Sequence, residues 1–129
     1  MALSTQASPP KLVSWPWPDS LDALVAAPAH HSLLLENDRV RVVHTHIPPG
    51  DFVPVHTHRW PGVVYVLSWS HFIRRDGQGK VLLDSRETGP PPKIPSAQWL
   101  EPLPPHSVEN IGESEISLYI VELKEADRP

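Results

Sequence analysis

From Ser32 to Leu123 the chain alternates apolar and polar positions over short runs, each closed by turn residues. A period of two, rich in branched and aromatic residues, predicts strands rather than helices. Leu33-Leu34-Leu35 opens the series, and Asn37-Asp38 turns the chain into a strand over Arg39–Ile47 that ends at Pro48-Pro49-Gly50. Further strands are expected over Phe52–Thr57, Gly62–Trp69, Phe72–Arg75, Val81–Leu83, Gln98–Leu100, His106–Asn110 and Ile116–Leu123. Asp76-Gly77 is a hairpin signal between two of them. Many short strands at close spacing argue for an all-β sandwich or closed barrel.

The first thirty residues have a different texture. Residues 1 to 18 carry Ser, Gln, Pro and the run Trp15-Pro16-Trp17-Pro18, which predicts an extended arm whose tryptophans pack on the domain or on a partner subunit. Asp19 or Ser20 can cap a short helix over Leu21–Ala27, stopped by Pro28. The chain therefore divides into an arm and helix (1–30) and a β-domain (31–129), within one domain of 129 residues. Seventeen prolines punctuate the strands, with Pro90-Pro91-Pro92 and Pro95 expected in a loop near a barrel mouth.

Charge and cysteine content narrow the functions. A net charge of −4 with scattered basic residues gives no footprint for nucleic acid. No run is long and apolar enough for a membrane span, and no basic start precedes an apolar core, so a cytoplasmic protein is expected. With no Cys, imidazole and carboxylate are the strong metal ligands available.

Eight histidines supply the candidate chemistry. His56 and His58, two apart on a strand, point to the same face, and His106 follows in Pro104-Pro105-His106-Ser107-Val108-Glu109-Asn110. Three imidazoles converging in this way would hold a divalent metal. His44 and His46 share the spacing, but their neighbours Val43, Thr45 and Ile47 form the apolar face, so this pair is expected outside. His30 and His31 follow the helix end, where the dipole accounts for them. Trp60, Tyr65, Gln98 and Trp99 are candidates to line a pocket, Asn110 to orient His106 or shape a turn. Arg74 and Arg75 adjoin the Asp76-Gly77 turn and are expected in solvent.

Gly50, five residues, His56-Thr57-His58 and then Tyr65-Val66-Leu67-Ser68 resemble the first cupin motif, and His106 to Asn110 resembles the second. The resemblance spans roughly residues 33 to 123 and implies a double-stranded β-helix, a small jelly-roll barrel, with His56, His58 and His106 as metal ligands inside it. Two departures stand out. Gly62 occupies the place where the commonest cupins carry a Glu ligand, and Leu103 stands where the second motif has Gly. Cupins with three His and no Glu include Fe(II) dioxygenases for thiols and diketones. The resemblance thus implies a divalent metal, Fe(II) favoured with Zn, Ni or Mn as alternatives, and a small chelating substrate of β-dicarbonyl or thiol type. The other reading is a non-catalytic small-molecule or metal-binding module. A homodimer is expected, because small jelly rolls cover edge strands by pairing subunits.

Overall fold

The computed structural model describes residues 15–124. Nine strands follow one short helix: α1 (Ala23–Ala26), β1 (His31–Glu36), β2 (Val40–Ile47), β3 (Phe52–His58), β4 (Gly62–Ser68), β5 (Phe72–Asp76), β6 (Val81–Asp84), β7 (Ser96–Leu100), β8 (Leu103–Asn110) and β9 (Ile116–Leu123). They form two antiparallel sheets, one ordered β1-β2-β9-β4-β7 and the other β3-β8-β5-β6. Each predicted strand is present, and the all-β class holds.

The pleat of β2 shows how sequence parity fixes the two faces. Arg41, Val43, Thr45 and Ile47 are buried while Val42, His44 and His46 face outward. The inner faces meet in a core built on Ala27, Ile47, Val53 and Ile116, against which Phe72, Val108 and Leu118 pack. Asn110 closes this end of the barrel. Its amide donates to the carbonyls of Ile47 and Ser114, and its Oδ1 accepts from the Gly112 N–H. Asn110 therefore builds the β8–β9 turn instead of orienting His106.

The helix is shorter than its pattern suggests. A 3-10 turn at Asp19–Leu21 precedes α1, and the cap is Asp22, whose side chain accepts from the Leu24 N–H at 3.1 Å. Asp22 serves both the helix and an ion pair with Arg41, which neither Asp19 nor Ser20 could do. Trp15 and Trp17 meet edge to face at 4.8 Å, and Trp15 and Pro18 border one cleft together with Arg41, Thr57 and Trp60. Residues 1–14 lie outside the described residues. No described helix is long and apolar enough to cross a membrane.

Candidate metal centre

β3 and β8 are paired so that His56 stands directly opposite His106, with register irregularities on both sides of His56. His58 follows on the same face, and His31 enters from β1, where it pairs with Thr45 of β2. All four rings are buried. The ring centroids of His56 and His106 lie 4.4 Å apart, those of His56 and His58 5.0 Å, and those of His31 and His56 4.8 Å. The ligand atoms of His31, His56 and His58 fall within 4.8 Å of one another. That group contains two of the three histidines expected from the sequence, with His31 in place of His106, whose ring centroid lies 4.4 Å from that of His56 and 5.6 Å from that of His58 on the same buried face.

Three of these rings are held by one device. His56 Nδ1 donates to the Pro54 carbonyl at 2.7 Å, His106 Nδ1 to the Pro104 carbonyl at 2.7 Å, and His31 Nδ1 to the Ala27 carbonyl at the end of α1 at 2.9 Å. A carbonyl oxygen only accepts, so each Nδ1 carries the proton and each Nε2 keeps its lone pair. This is the tautomer a metal ligand requires, set by an outer partner. Burial, the neighbouring His58 and the other rings push His56 down to about 2 and His106 to about 3, and burial with His58 pushes His31 to about 4. All three stay neutral at pH 7.

His58 has a different neighbour. Its Nδ1 lies 3.5 Å from Oε2 of Glu122, a fully buried carboxylate on β9, and neither atom has a hydrogen-bond partner. Glu122 is anchored by Arg41, whose Nε donates to Oε1 at 2.7 Å while its Nη atoms fork onto Asp22. Burial lowers the pKa of Arg41, but its bonds to Asp22 and Glu122 outweigh that and leave it raised. Glu122 stands opposite Gly62 in the β4–β9 ladder. A Cβ on Gly62 would collide with the Val121 carbonyl oxygen, so no side chain fits where the commonest cupins carry a carboxylate ligand. The adjacent strand brings a carboxylate behind His58 instead.

The donor set fits a divalent transition metal: three neutral imidazoles oriented from behind with Nε2 uncommitted, and a fourth, His58, backed by a buried carboxylate. Beside them opens a cavity of about 190 Å³, walled mainly by apolar residues including Val64, Val66, Phe72, Leu118 and Ile120. This is smaller than the sites that take drug-sized ligands.

Gln98 and Trp99 of β7 border this cavity, although Trp99 is 57% exposed and its indole donates to Glu101. Tyr65 does not: it is 40% exposed, with its neighbours Val64 and Val66 taking the inward positions of β4. Trp60 lies outside the cavity too, in a separate cleft with the Arg41 guanidinium 5.0 Å from its ring centre. Arg75 pairs with Glu109 at 3.0 Å, half-buried. Arg74 is not in solvent but lines the cavity, since strand parity places it with Phe72 on the inner face of β5. His44 and His46 remain outside, as their strand parity requires.

No family model matches the sequence, and no curated protein matches it. Solved structures do match in fold. A cupin domain from Bordetella pertussis Tohama I superposes with a TM-score of 0.58 at 20% identity, over 73% of this chain and 91% of that one. A RmlC-like cupin family protein with a double-stranded β-helix fold from Methanocaldococcus jannaschii gives 0.53 at 11% identity, over 76% and 82%. The chain has the cupin fold. An uncharacterized conserved protein with a double-stranded β-helix domain from Klebsiella pneumoniae gives 0.50 at 22% identity, over 73% and 70%. At these identities the cupin likeness establishes the double-stranded β-helix, and the chemistry rests on this chain's own residues.

Proposed function

We propose that this cupin holds a divalent metal on His56, His58 and His106, with His31 beside them, and acts as a three-His Fe(II) dioxygenase on a small chelating substrate of β-dicarbonyl or thiol type. The observation that carries the reading is the shared Nδ1-to-carbonyl bonding of His31, His56 and His106, which leaves three buried Nε2 lone pairs for an ion. Neutral ligands leave the ion's charge uncompensated, so a bound Fe(II) would attract an anionic chelate and activate O2 towards it, with the substrate itself supplying the electrons for the oxygenation. The chain's part is to orient the imidazoles, exclude water with the apolar wall and hold Glu122 behind His58. The test is elemental analysis of the purified protein beside His106→Ala, followed by oxygen uptake with thiols and β-dicarbonyls on Fe(II)-reconstituted protein. About one metal per chain, lost in the variant, with uptake on at least one substrate is the expected result. Metal without uptake on any substrate would leave a binding protein.

One observation favours that second reading. Gly62 removes the carboxylate ligand sterically, and a barrel that no longer catalyses could lose it in the same way. A metal-free protein whose melting temperature rises with a small anion, and which takes up no metal on reconstitution, would be this non-catalytic module.

A further inference from the structure

Arg74 is the only Lys or Arg among the described residues that line the cavity. It stands on the inner face of β5, opposite Val108 of β8 and Leu83 of β6. Its Nε is buried without a partner, and no carboxylate or carbonyl among the described residues accepts a hydrogen bond from its guanidinium. The Phe72 ring centre lies 5.9 Å from the guanidinium carbon. The other arginines with assigned partners behave differently: Arg41 meets Asp22 and Glu122, Arg75 meets Glu109, and Arg86 meets Asp84. Burial lowers the pKa of Arg74, and no opposite charge works against that. Arg74 shares the wall of one cavity with His31, His56, His58 and His106.

A guanidinium is a planar fork of five donors, and leaving the buried Nε donor of one without an acceptor is costly. Such a group is satisfied when the acceptor arrives with a ligand. We propose that Arg74 receives the carboxylate of a small anionic ligand whose other end reaches the histidine cluster. A carboxylate matches the fork in a bidentate fashion and brings one charge to the one cation of the wall. A phosphate dianion would need further donors, and the remaining wall is mostly apolar. This assignment deepens the metal-site reading by giving its substrate an acid group, and it rests on that reading only for the ligand's far end.

The experiment is titration calorimetry on the full chain, metal-free and Co(II)-loaded, with acetoacetate and with methyl acetoacetate, which differ in that one carboxylate. Acetoacetate is expected to bind about tenfold or more tighter than its ester. Arg74→Gln and Arg74→Met should lose that preference while taking up Co(II) as the parent does, and Arg74→Lys should keep part of it. A parent that does not distinguish acid from ester, or variants that bind the acid as tightly as the parent, would overturn the assignment. The Co(II) titration answers the metal reading separately. A parent that takes no Co(II) yet loses its acid preference in Arg74→Met would sink the metal and keep the arginine.

Discussion

The chain contains the tripeptide His-Thr-His twice, at His44-Thr45-His46 on β2 and at His56-Thr57-His58 on β3, and the two copies have opposite fates. In the first, threonine faces the barrel interior and both imidazoles face outward; in the second, both imidazoles are buried. The ring nitrogens are used differently as well. His44 Nε2 pairs with Ser117 Oγ at 2.9 Å and His46 Nε2 with Glu115 at 2.8 Å, so the outer pair commits the nitrogen that the inner His56 keeps free. Identical spacing therefore does not make a metal site. Strand parity decides which way the rings point, and the partner of one ring nitrogen decides whether the other can ligate.

Removing imidazoles one at a time tests the difference most directly. His56→Ala, His58→Ala or His106→Ala is expected to weaken Co(II) binding by roughly a hundredfold or more, beyond the usual cost of losing an outer partner. His44→Ala is expected to leave it unchanged. Absorption titration of each variant measures both. His31→Ala sorts between the two sets: a loss comparable to that of His58→Ala would make His31 a full ligand, and an unchanged affinity would leave it a packing residue with a bonded Nδ1.

Acid should separate the regions next. An unfolded histidine titrates near 6.5, whereas His31, His56 and His106 in the fold titrate at about 4, 2 and 3. Below pH 6.5 the unfolded chain therefore binds protons that the folded chain refuses, and stability falls as pH falls through that window towards the folded values. Each of the three contributes up to about 1.4 kcal/mol per pH unit. Urea melts of metal-free protein between pH 7 and 5 should show a steep loss, flattened in His56→Ala and unaffected by His44→Ala. A flat profile in the parent would mean that the inner rings are not held neutral by burial.

Much of this was legible in the sequence, for identifiable reasons. Alternation between turn signals located every strand, most plainly in β2, where burial alternates residue by residue. β8 starts at Leu103, ahead of its expected start at His106, because Pro104-Pro105 reads as a break although the strand begins through it. Those prolines carry a usable signal: Pro54 and Pro104 each stand two residues before a cluster histidine and offer it a carbonyl. His31 was hidden, since its local setting explains one nitrogen completely: Nδ1 does bond the helix-end carbonyl of Ala27. What the other nitrogen faces depends on the pairing of β1 with β2, which no local pattern encodes. Arg74 was misplaced for a related reason, because nearness to the Asp76-Gly77 turn suggested solvent while strand parity turned the side chain inward.

Glu122 sharpens the comparison by a smaller amount. The inner site has a buried carboxylate 3.5 Å behind His58, while the outer pair has the exposed Glu115 beside His46. Glu122→Gln keeps the shape and removes the charge. Co(II) affinity is expected to fall about tenfold, the usual scale for an outer partner. Stability should fall by about 3 kcal/mol, because Arg41 then has only Asp22 to balance it in a buried setting. Chemical melts and a Co(II) titration separate the two effects. A stability loss with unchanged affinity would make Glu122 a partner of Arg41 alone.

The smallest effect belongs to the outer acid. His46 and Glu115 are each about half exposed, at 45% and 55% of their side chains, so water competes for both partners. Exposed ion pairs contribute about 0 to 1 kcal/mol, and this one exists as a charge pair only when His46 is protonated. Glu115→Gln should therefore change stability by less than about 1 kcal/mol at pH 7 and leave Co(II) affinity untouched. The same chemical step, carboxylate to amide beside a histidine, is thus expected to be costly at Glu122 and nearly silent at Glu115. Equal costs at the two positions would mean that burial does not distinguish the two His-Thr-His copies and that the difference lies in the metal alone.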